Sequence, residues 1–571
     1  MGSYAERVFE RIRSKVQRAL ILAALAAPAT PLLAEAPSRE ADSNFATQVI
    51  AVDGASEADT IENTAPPYRC YAGTACCAGH LVDWSEVPKN LYPMPRPGNF
   101  PVPPQGPGYY SVYDRWTGNY RQQAPRSPYP PFAMMPPSFF DVDFRYVEGI
   151  SPDERTWVES LKRIPVGDCW TFSTGGHTWL RFMNERNSRL TESDNDYLLA
   201  RVRLFGDLMY GDLLRFYGEY IWADSFSEEL APQAIDVNRG DALNLFVDVK
   251  LGETSDAVWY GRVGRQELLF GSQRLVSTLD WANTRRTFDG VRLMRKGESW
   301  DWDFFYTAFV PPNPNGMDQL DDRQEFGGSW FTWRVAPGRT LDLYYLYLDD
   351  TRLLPPQLGI ARGDAEIHTW GFRHSGNSGP WLWDVEAALQ LGQQGGNELV
   401  AGMASLGGGH NWNSWYGNPT LWLYYDYASG DPDPASGQSH TFHQLFPFGH
   451  YYLGWIDLVG RQNIHDANVH LWLYPQPWMA IWLQYHHFWL DRAGDALYNA
   501  AGVPIRRDAT GSAGRDVGDE IDIVTNYHIG RYSDLMIGYS RLFGGGFLRN
   551  TASPTAADDA ELFYLMWQRR W

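Results

Sequence analysis

From residue 168 to residue 571 the chain alternates apolar and polar side chains, segment after segment. Trp381, Trp383, Val385, Ala387, Leu389 and Leu391 share one parity, and Asp384, Glu386 and Gln390 share the other. Leu243, Leu245, Val247, Val249 and Leu251 oppose Asn244, Asp248 and Lys250 in the same way. Trp302, Phe304, Tyr306 and Ala308 oppose Asp301, Asp303 and Thr307. A period of two puts successive side chains on opposite faces of a strand, whereas a helix would need a period near 3.6. Each segment runs for roughly 10 to 14 residues before Gly, Asn, Asp or Pro breaks it. Eighteen segments follow, beginning near Cys169, Asp196, Leu214, Ala242, Ala257, Thr287, Trp300, Glu325, Thr340, Glu366, Trp381, Glu398, Tyr416, Ala467, Trp478, Asp519, Asp534 and Glu561.

An even count, and strands of about 9 to 11 tilted residues across a bilayer, suit a single-chain outer-membrane barrel. The expected fold is therefore all-β: a transmembrane antiparallel β-barrel of about 18 strands (16–18). Aromatics near segment ends, such as Trp478, Trp482, Phe488 and Trp489, fit the girdles of such a barrel. A soluble sandwich would alternate too, with its apolar face inward. Three features favour the membrane. The start of the chain reads as a secretory address. No second compositional domain exists within residues 168–571. The last segment places Phe563, Leu565, Trp567 and Trp571 on one face, although Arg569 interrupts it.

The address is residues 1–36. Arg7, Arg11, Arg13, Lys15 and Arg18 precede a short apolar run at 19–27, and Ala34-Glu35-Ala36 fits the small-x-small cleavage rule. Residues 37–165 form a proline-rich extension, with 14 prolines between positions 88 and 137. Proline removes backbone donors, so this stretch is expected to be extended. Its aromatics (Tyr92, Phe100, Tyr109, Tyr110, Tyr113, Trp116, Tyr120) suggest an arm or plug that packs on another surface. Ser151-Pro152-Asp153-Glu154 has the signature of a helix start and predicts a short helix to about Ile164. Cys70, Cys76 and Cys77 lie near His80, but their spacing matches no strong zinc pattern. A disulfide within that group, or to Cys169, is favoured.

Further pieces, in order, carry a family resemblance. They are Gly264-Arg265-Gln266, then Trp281-Ala282-Asn283-Thr284-Arg285-Arg286 and Phe288-Asp289-Gly290. Tyr485-His486-His487-Phe488-Trp489, then Gly518-Asp519-Glu520-Ile521-Asp522-Ile523-Val524, and residues 539–545 (YSRLFGG) follow. Together they resemble the alginate export family of outer-membrane porins, over most of residues 166–571. The resemblance implies a monomeric 18-stranded barrel in outer-membrane lipid, with a narrow arginine-lined pore. An anionic, uronate-type polysaccharide would leave the periplasm through it, with periplasmic export machinery as a candidate partner. Glu267 and Leu243 stand where the exporter pattern has basic residues, which leaves the cargo more open than the fold.

Parity assigns the lumen face. It carries Arg181, Arg201, Arg203, Arg215, Arg262, Arg292, Arg334 and Arg373, with Glu520 and Asp522 among its acids. Arg285 and Arg286 fall in a turn with Asn283, while Arg265 (beside Gln266) and Arg541 share the apolar parity and should lie at strand ends. One reading is a structural ladder in which arginines and carboxylates satisfy one another. The other is a substrate path, since guanidinium binds carboxylate through a planar bidentate pair and weak successive contacts could pass a polyuronate along. The bias of 43 Arg to 5 Lys fits the path, but GC-rich coding would also produce it.

Other classes fare poorly. A net charge of -20 argues against a nucleic-acid binder. Asp301/Asp303 and Glu520/Asp522 could mimic glycosidase dyads, yet such pairs recur in many segments as a lumen face requires. The histidines show no HExxH arrangement and Gly264-Arg265-Gln266 is not a phosphate loop, so no enzyme, cofactor or metal is expected. Two alternatives stay open: a general or small-solute porin of the same fold, and a secreted carbohydrate-binding or carbohydrate-cleaving β protein.

Overall fold

A computed structural model describes residues 106–125, 129, 138–433, 436–553 and 556–571. The expected signal peptide at residues 1–36, the Cys70–Cys77 group and most of the proline-rich stretch lie outside them. The barrel strands are β1 (Trp170–Arg186), β2 (Asn195–Tyr210), β3 (Leu214–Phe226), β4 (Asn238–Glu253), β5 (Ala257–Gln266) and β6 (Thr287–Gly297). Next come β7 (Trp300–Val310), β8 (Asp321–Ala336), β9 (Arg339–Gln357), β10 (Ile360–Ser378), β11 (Trp381–Gln394) and β12 (Asn397–Asn411). The last six are β13 (Thr420–Ala428), β14 (Ile464–Gln476), β15 (Met479–Leu490), β16 (Asp516–Gly530), β17 (Ser533–Gly544) and β18 (Ala560–Arg570). Every strand pairs antiparallel with its sequence neighbour, and β1 pairs with β18 from His177↔Arg570 to Arg186↔Glu561, closing an 18-strand barrel. All eighteen expected segments are present.

Closure follows from the medium. Lipid offers no partner for backbone N–H and C=O groups, so a spanning sheet must have no edge. Alternation then sorts the side chains. Leu245, Val263, Val291, Leu389, Leu423 and Ile523 are exposed on the outside, while Asn244, Arg262, Arg292, Gln390 and Asp522 are buried inside. At this edge-free surface the exposed apolar residues form the lipid-facing belt. Trp300, Trp333, Trp381 and Trp415 lie beside the short turns, and Tyr306, Tyr347, Tyr425 and Trp489 lie toward the opposite rim. No described helix is long and apolar enough to cross a membrane.

The two ends differ. Short turns at residues 211–213, 254–256, 298–299 and 477–478 share one end with the start of β1 and the end of β18. Long connections leave the other end, notably residues 267–286, 429–463 and 491–515. In outer-membrane barrels the short turns face the periplasm. The 267–286 and 429–463 loops fold inward and meet in a parallel bridge between Val276 and Phe446. Their Leu268, Phe270, Phe446, Tyr452 and Trp455 join lumen-facing Phe288, Phe326 and Trp482 in one buried apolar cluster.

A second cluster fills the short-turn mouth. Phe139, Phe140 and Phe144, which precede the barrel, pack with Phe205, Tyr217, Phe246, Tyr260 and Met294. The helix expected after Ser151 does not form. Pro152–Glu154 and Glu159–Leu161 are separate 3-10 turns, Ser151 makes no side-chain cap, Arg155 is extended, and Ile164–Val166 already pairs with β1. Conversely, Val112–Thr117 is a short helix capped by Ser111, because no proline interrupts residues 108–124. Cys169 is disulfide-bonded, to a partner outside the described residues.

Gly264 lets β4 and β5 approach closely beside Arg265. Its φ of +124° is one that side chains rarely adopt, and a Cβ there would lie 2.3 Å from the Leu245 carbonyl. The pairing stays in register there, and Arg265, on the outward parity of Val263 and one residue from the end of β5, lies at the rim.

Two outcomes test this architecture. Unboiled protein should migrate differently from boiled protein in detergent gels, and an unchanged band would contradict a closed barrel. Ile523→Arg, in the middle of β16 at 42% exposure, should cost about 2–4 kcal/mol in lipid-bilayer unfolding titrations, as cations at the bilayer midplane do.

Candidate functional site

The lumen wall carries its charges in pairs. Arg203 Nε donates to Glu219 Oε1 at 2.6 Å, and Glu219 also accepts from Tyr217 and Asn244. Asn244 Nδ2 reaches on to Glu267 at 3.0 Å, and Arg285 Nε donates to the same carboxylate at 2.5 Å. Arg201 Nη2 and Arg285 share Asp280, the first at 3.0 Å. Arg262 grips Asp248 through two bonds of 2.6 and 2.7 Å. Arg292 and Lys296 bind Asp303 at 2.8 and 3.0 Å, and Arg215 forks onto Asp207. Adjacent antiparallel strands place the wall partners directly opposite (Arg262 and Asp248) or two residues off register (Arg203 and Glu219, Arg215 and Asp207, Arg292 and Asp303), within reach of an arginine fork.

A second knot lies across the barrel. Arg373 of β10 binds Asp384 of β11 at 2.7 Å, and Arg274 of the inward loop binds Asp384 at 2.9 Å and Glu386 at 3.0 Å. Arg461 of the other inward loop binds Asp426. Both loops are thus pinned to the wall by charge as well as by their apolar residues.

The remaining residues nominated by sequence take varied places. Arg265 sits at the rim on Asp289 (2.8 Å) and Asp241 (3.2 Å). Gln266 only approaches the Gly264 and Gly290 carbonyls, at 3.4 Å. Asn283 anchors its loop, accepting from Trp179 Nε1 and donating to the carbonyls of Ala200, Asp224 and Asp236. Arg181 stacks over Trp281 at 3.8 Å and donates to its carbonyl, with no carboxylate in contact among the described residues. Arg286 donates to the carbonyls of Ser277 and Pro447, and burial alone pulls its pKa down to about 9. Glu520 accepts from the Ile456 N–H of the second loop, and Asp522 is buried 3.9 Å from His486.

Arg274, Arg461 and Glu267 are among the partners that sequence reasoning did not assign to the lumen, with Asp207, Asp280 and Lys296. Two are loop arginines with no periodicity around them, and Glu267 was visible only as a departure from a pattern. Among the described residues no cluster of His, Cys, Asp and Glu could hold a metal ion. Asp301 and Asp303, which could mimic a hydrolytic dyad, are instead held by Arg334 and by Arg292 with Lys296.

Removing one partner of a buried pair strands the other charge and costs about 3–5 kcal/mol. Arg262→Met and Arg285→Met should each lower the unfolding free energy by about 3–5 kcal/mol, and Arg292→Met by less, because Lys296 still holds Asp303. Ion selectivity in bilayers should hold. A selectivity collapse at unchanged stability would instead make these arginines contact points for solute.

The family model described as "Alginate export" matches residues 171–560. Among solved structures, outer membrane protein OprD of Pseudomonas aeruginosa matches at 10% identity and TM-score 0.46, covering 70% of this chain and 94% of that chain. OpdK of the same organism matches at 14% identity and TM-score 0.46, covering 70% and 98%. OccD3 (OpdP) matches at 10% identity and TM-score 0.46, covering 70% and 91%. No curated protein matches the chain. The family match runs from the start of β1 to the first residue of β18, so it takes in nearly the whole barrel wall. The chain therefore belongs to the alginate export family, and it is an outer-membrane β-barrel of the porin type.

Proposed function

We propose that this porin passively conducts small hydrophilic solutes. The observation that carries this reading is charge pairing in the lumen. Arg201, Arg203, Arg262, Arg285, Arg292 and Arg373 each already hold a carboxylate of the protein. A passing uronate would have to displace that acid. The arginine would exchange one carboxylate for another at little gain, and the displaced acid would stay buried and uncompensated, at about 3–5 kcal/mol per pair. A polyanion threading several such sites would meet that cost at each one. A small polar solute needs no such exchange, because satisfied pairs still offer dipoles and weak hydrogen bonds along the wall.

A second reading, export of an anionic polysaccharide, is favoured by the family match and by Arg181 and Arg286, which touch no carboxylate. The two readings separate in planar bilayers. The small-solute porin should give currents with weak ion selectivity that polyuronate leaves unchanged. The exporter should give anion-selective currents that polyuronate blocks in proportion to its concentration. A correctly folded barrel that passes no current would sink both.

A further inference from the structure

The short-turn mouth is occupied by the protein's own chain. Residues 138–141 reach into the lumen and touch the arginine-rich wall at successive positions. Ser138 Oγ donates to Glu267 at 3.3 Å and accepts from Arg285 at 3.4 Å. The Phe139 ring stacks on Phe205 at 4.9 Å, with the Arg203 guanidinium 4.7 Å from its centre. Phe140 meets Tyr217 and Phe246 edge-on at 5.8 and 5.6 Å, lies under Arg262, and gives its carbonyl to Arg215 at 2.9 Å. Phe144 stacks on Phe205 from a second side. Lys162 then ties the following turn to the Thr174 and Trp571 carbonyls, where β1 meets β18.

The contacts are of the kind that seal. Each ring is buried, and two phenylalanines of this sort remove most of their surface from water. Asp141 lies in the field of Arg262, Arg292, Arg215 and Lys296, yet burial outweighs their pull and pushes its carboxyl well above the usual carboxylate range. Its Oδ1 finds no hydrogen-bond partner.

We infer that residues 138–141 are an internal plug, which occupies the arginine-lined entrance and must withdraw before solute can pass. The segment is suited to leaving. Among the described residues its ties to the wall include ring contacts, the Phe140 carbonyl, the Ser138 hydroxyl and the Asp141 charge, with no strand pairing, and the charge pairs around it (Arg203–Glu219, Arg262–Asp248, Arg292–Asp303) are made within the wall itself. Its departure would expose arginines already balanced by their own acids, so the wall would stay folded. The inference rests on the porin reading only for its consequence, passage of solute.

The test uses the full chain. Phe139→Ala with Phe140→Ala should raise the open probability in planar bilayers at least about tenfold, the shift that roughly 1.4 kcal/mol produces. Heat-dependent gel migration would verify that the variant still folds. Equal open probability in a folded variant overturns the plug. A second measurement avoids both the double variant and the current. Met294→Cys puts a thiol in the buried cluster that Phe140 joins, where the native side chain is fully buried. A membrane-impermeant maleimide should label it slowly, and at least about tenfold faster once Phe140→Ala is added. Rapid labelling with the segment intact would refute the plug, whatever the channel conducts. A folded channel that stays silent while labelling follows the expected order would sink the porin reading alone.

Discussion

Everything in this molecule depends on the pairing of β1 with β18. A sheet of this length in lipid cannot leave a row of backbone groups unpaired, since each would cost several kcal/mol in hydrocarbon, on the order of a lost hydrogen bond with no water to replace it. Closing the sheet removes the edge and creates an inside and an outside at once. The outside takes the apolar parity of each strand. The inside takes the polar parity, together with the problem of what to do with it. Eighteen strands enclose more space than wall side chains can fill, so other parts of the chain enter: two loops from one end and the pre-barrel segment from the other.

Charge inside that space is governed by the same scarcity of water. An unpaired guanidinium under the loops would be expensive, and the structure answers with forks onto Asp207, Asp248, Glu219, Glu267, Asp303 and Asp384. Arg181 is the instructive exception. With no acid to hand, it lies flat over Trp281 and uses that residue's carbonyl, which is how a weakly hydrated planar cation tolerates an aromatic setting.

Much of the wall was legible in the sequence because alternation is a local property. Each strand announces itself without reference to its neighbours, and parity placed Arg203, Arg262, Arg292 and Asp522 inside. Loop residues carry no such period. Nothing near Arg274 or Arg461 says that they reach back to Asp384 and Asp426, for those contacts span about a hundred and about thirty-five residues of chain. The failed helix after Ser151 has the same cause in reverse. Its local signals favour a helix, but the pairing of Ile164–Val166 with β1 and the anchoring of Lys162 pull the segment straight. Lumen occupancy by residues 138–144 is likewise a long-range fact, hidden behind a composition that reads only as proline-rich and aromatic.

The parallel bridge between Val276 and Phe446 makes one body of two loops that leave the barrel far apart in sequence. Ser277 N–H donates to the Phe446 carbonyl, and Phe446 N–H donates to that of Leu275. Neither loop moves without stretching the other. A displacement of either loop at this level is therefore carried to the other, so walls that lie eight strands apart in the barrel are tied together through the lumen.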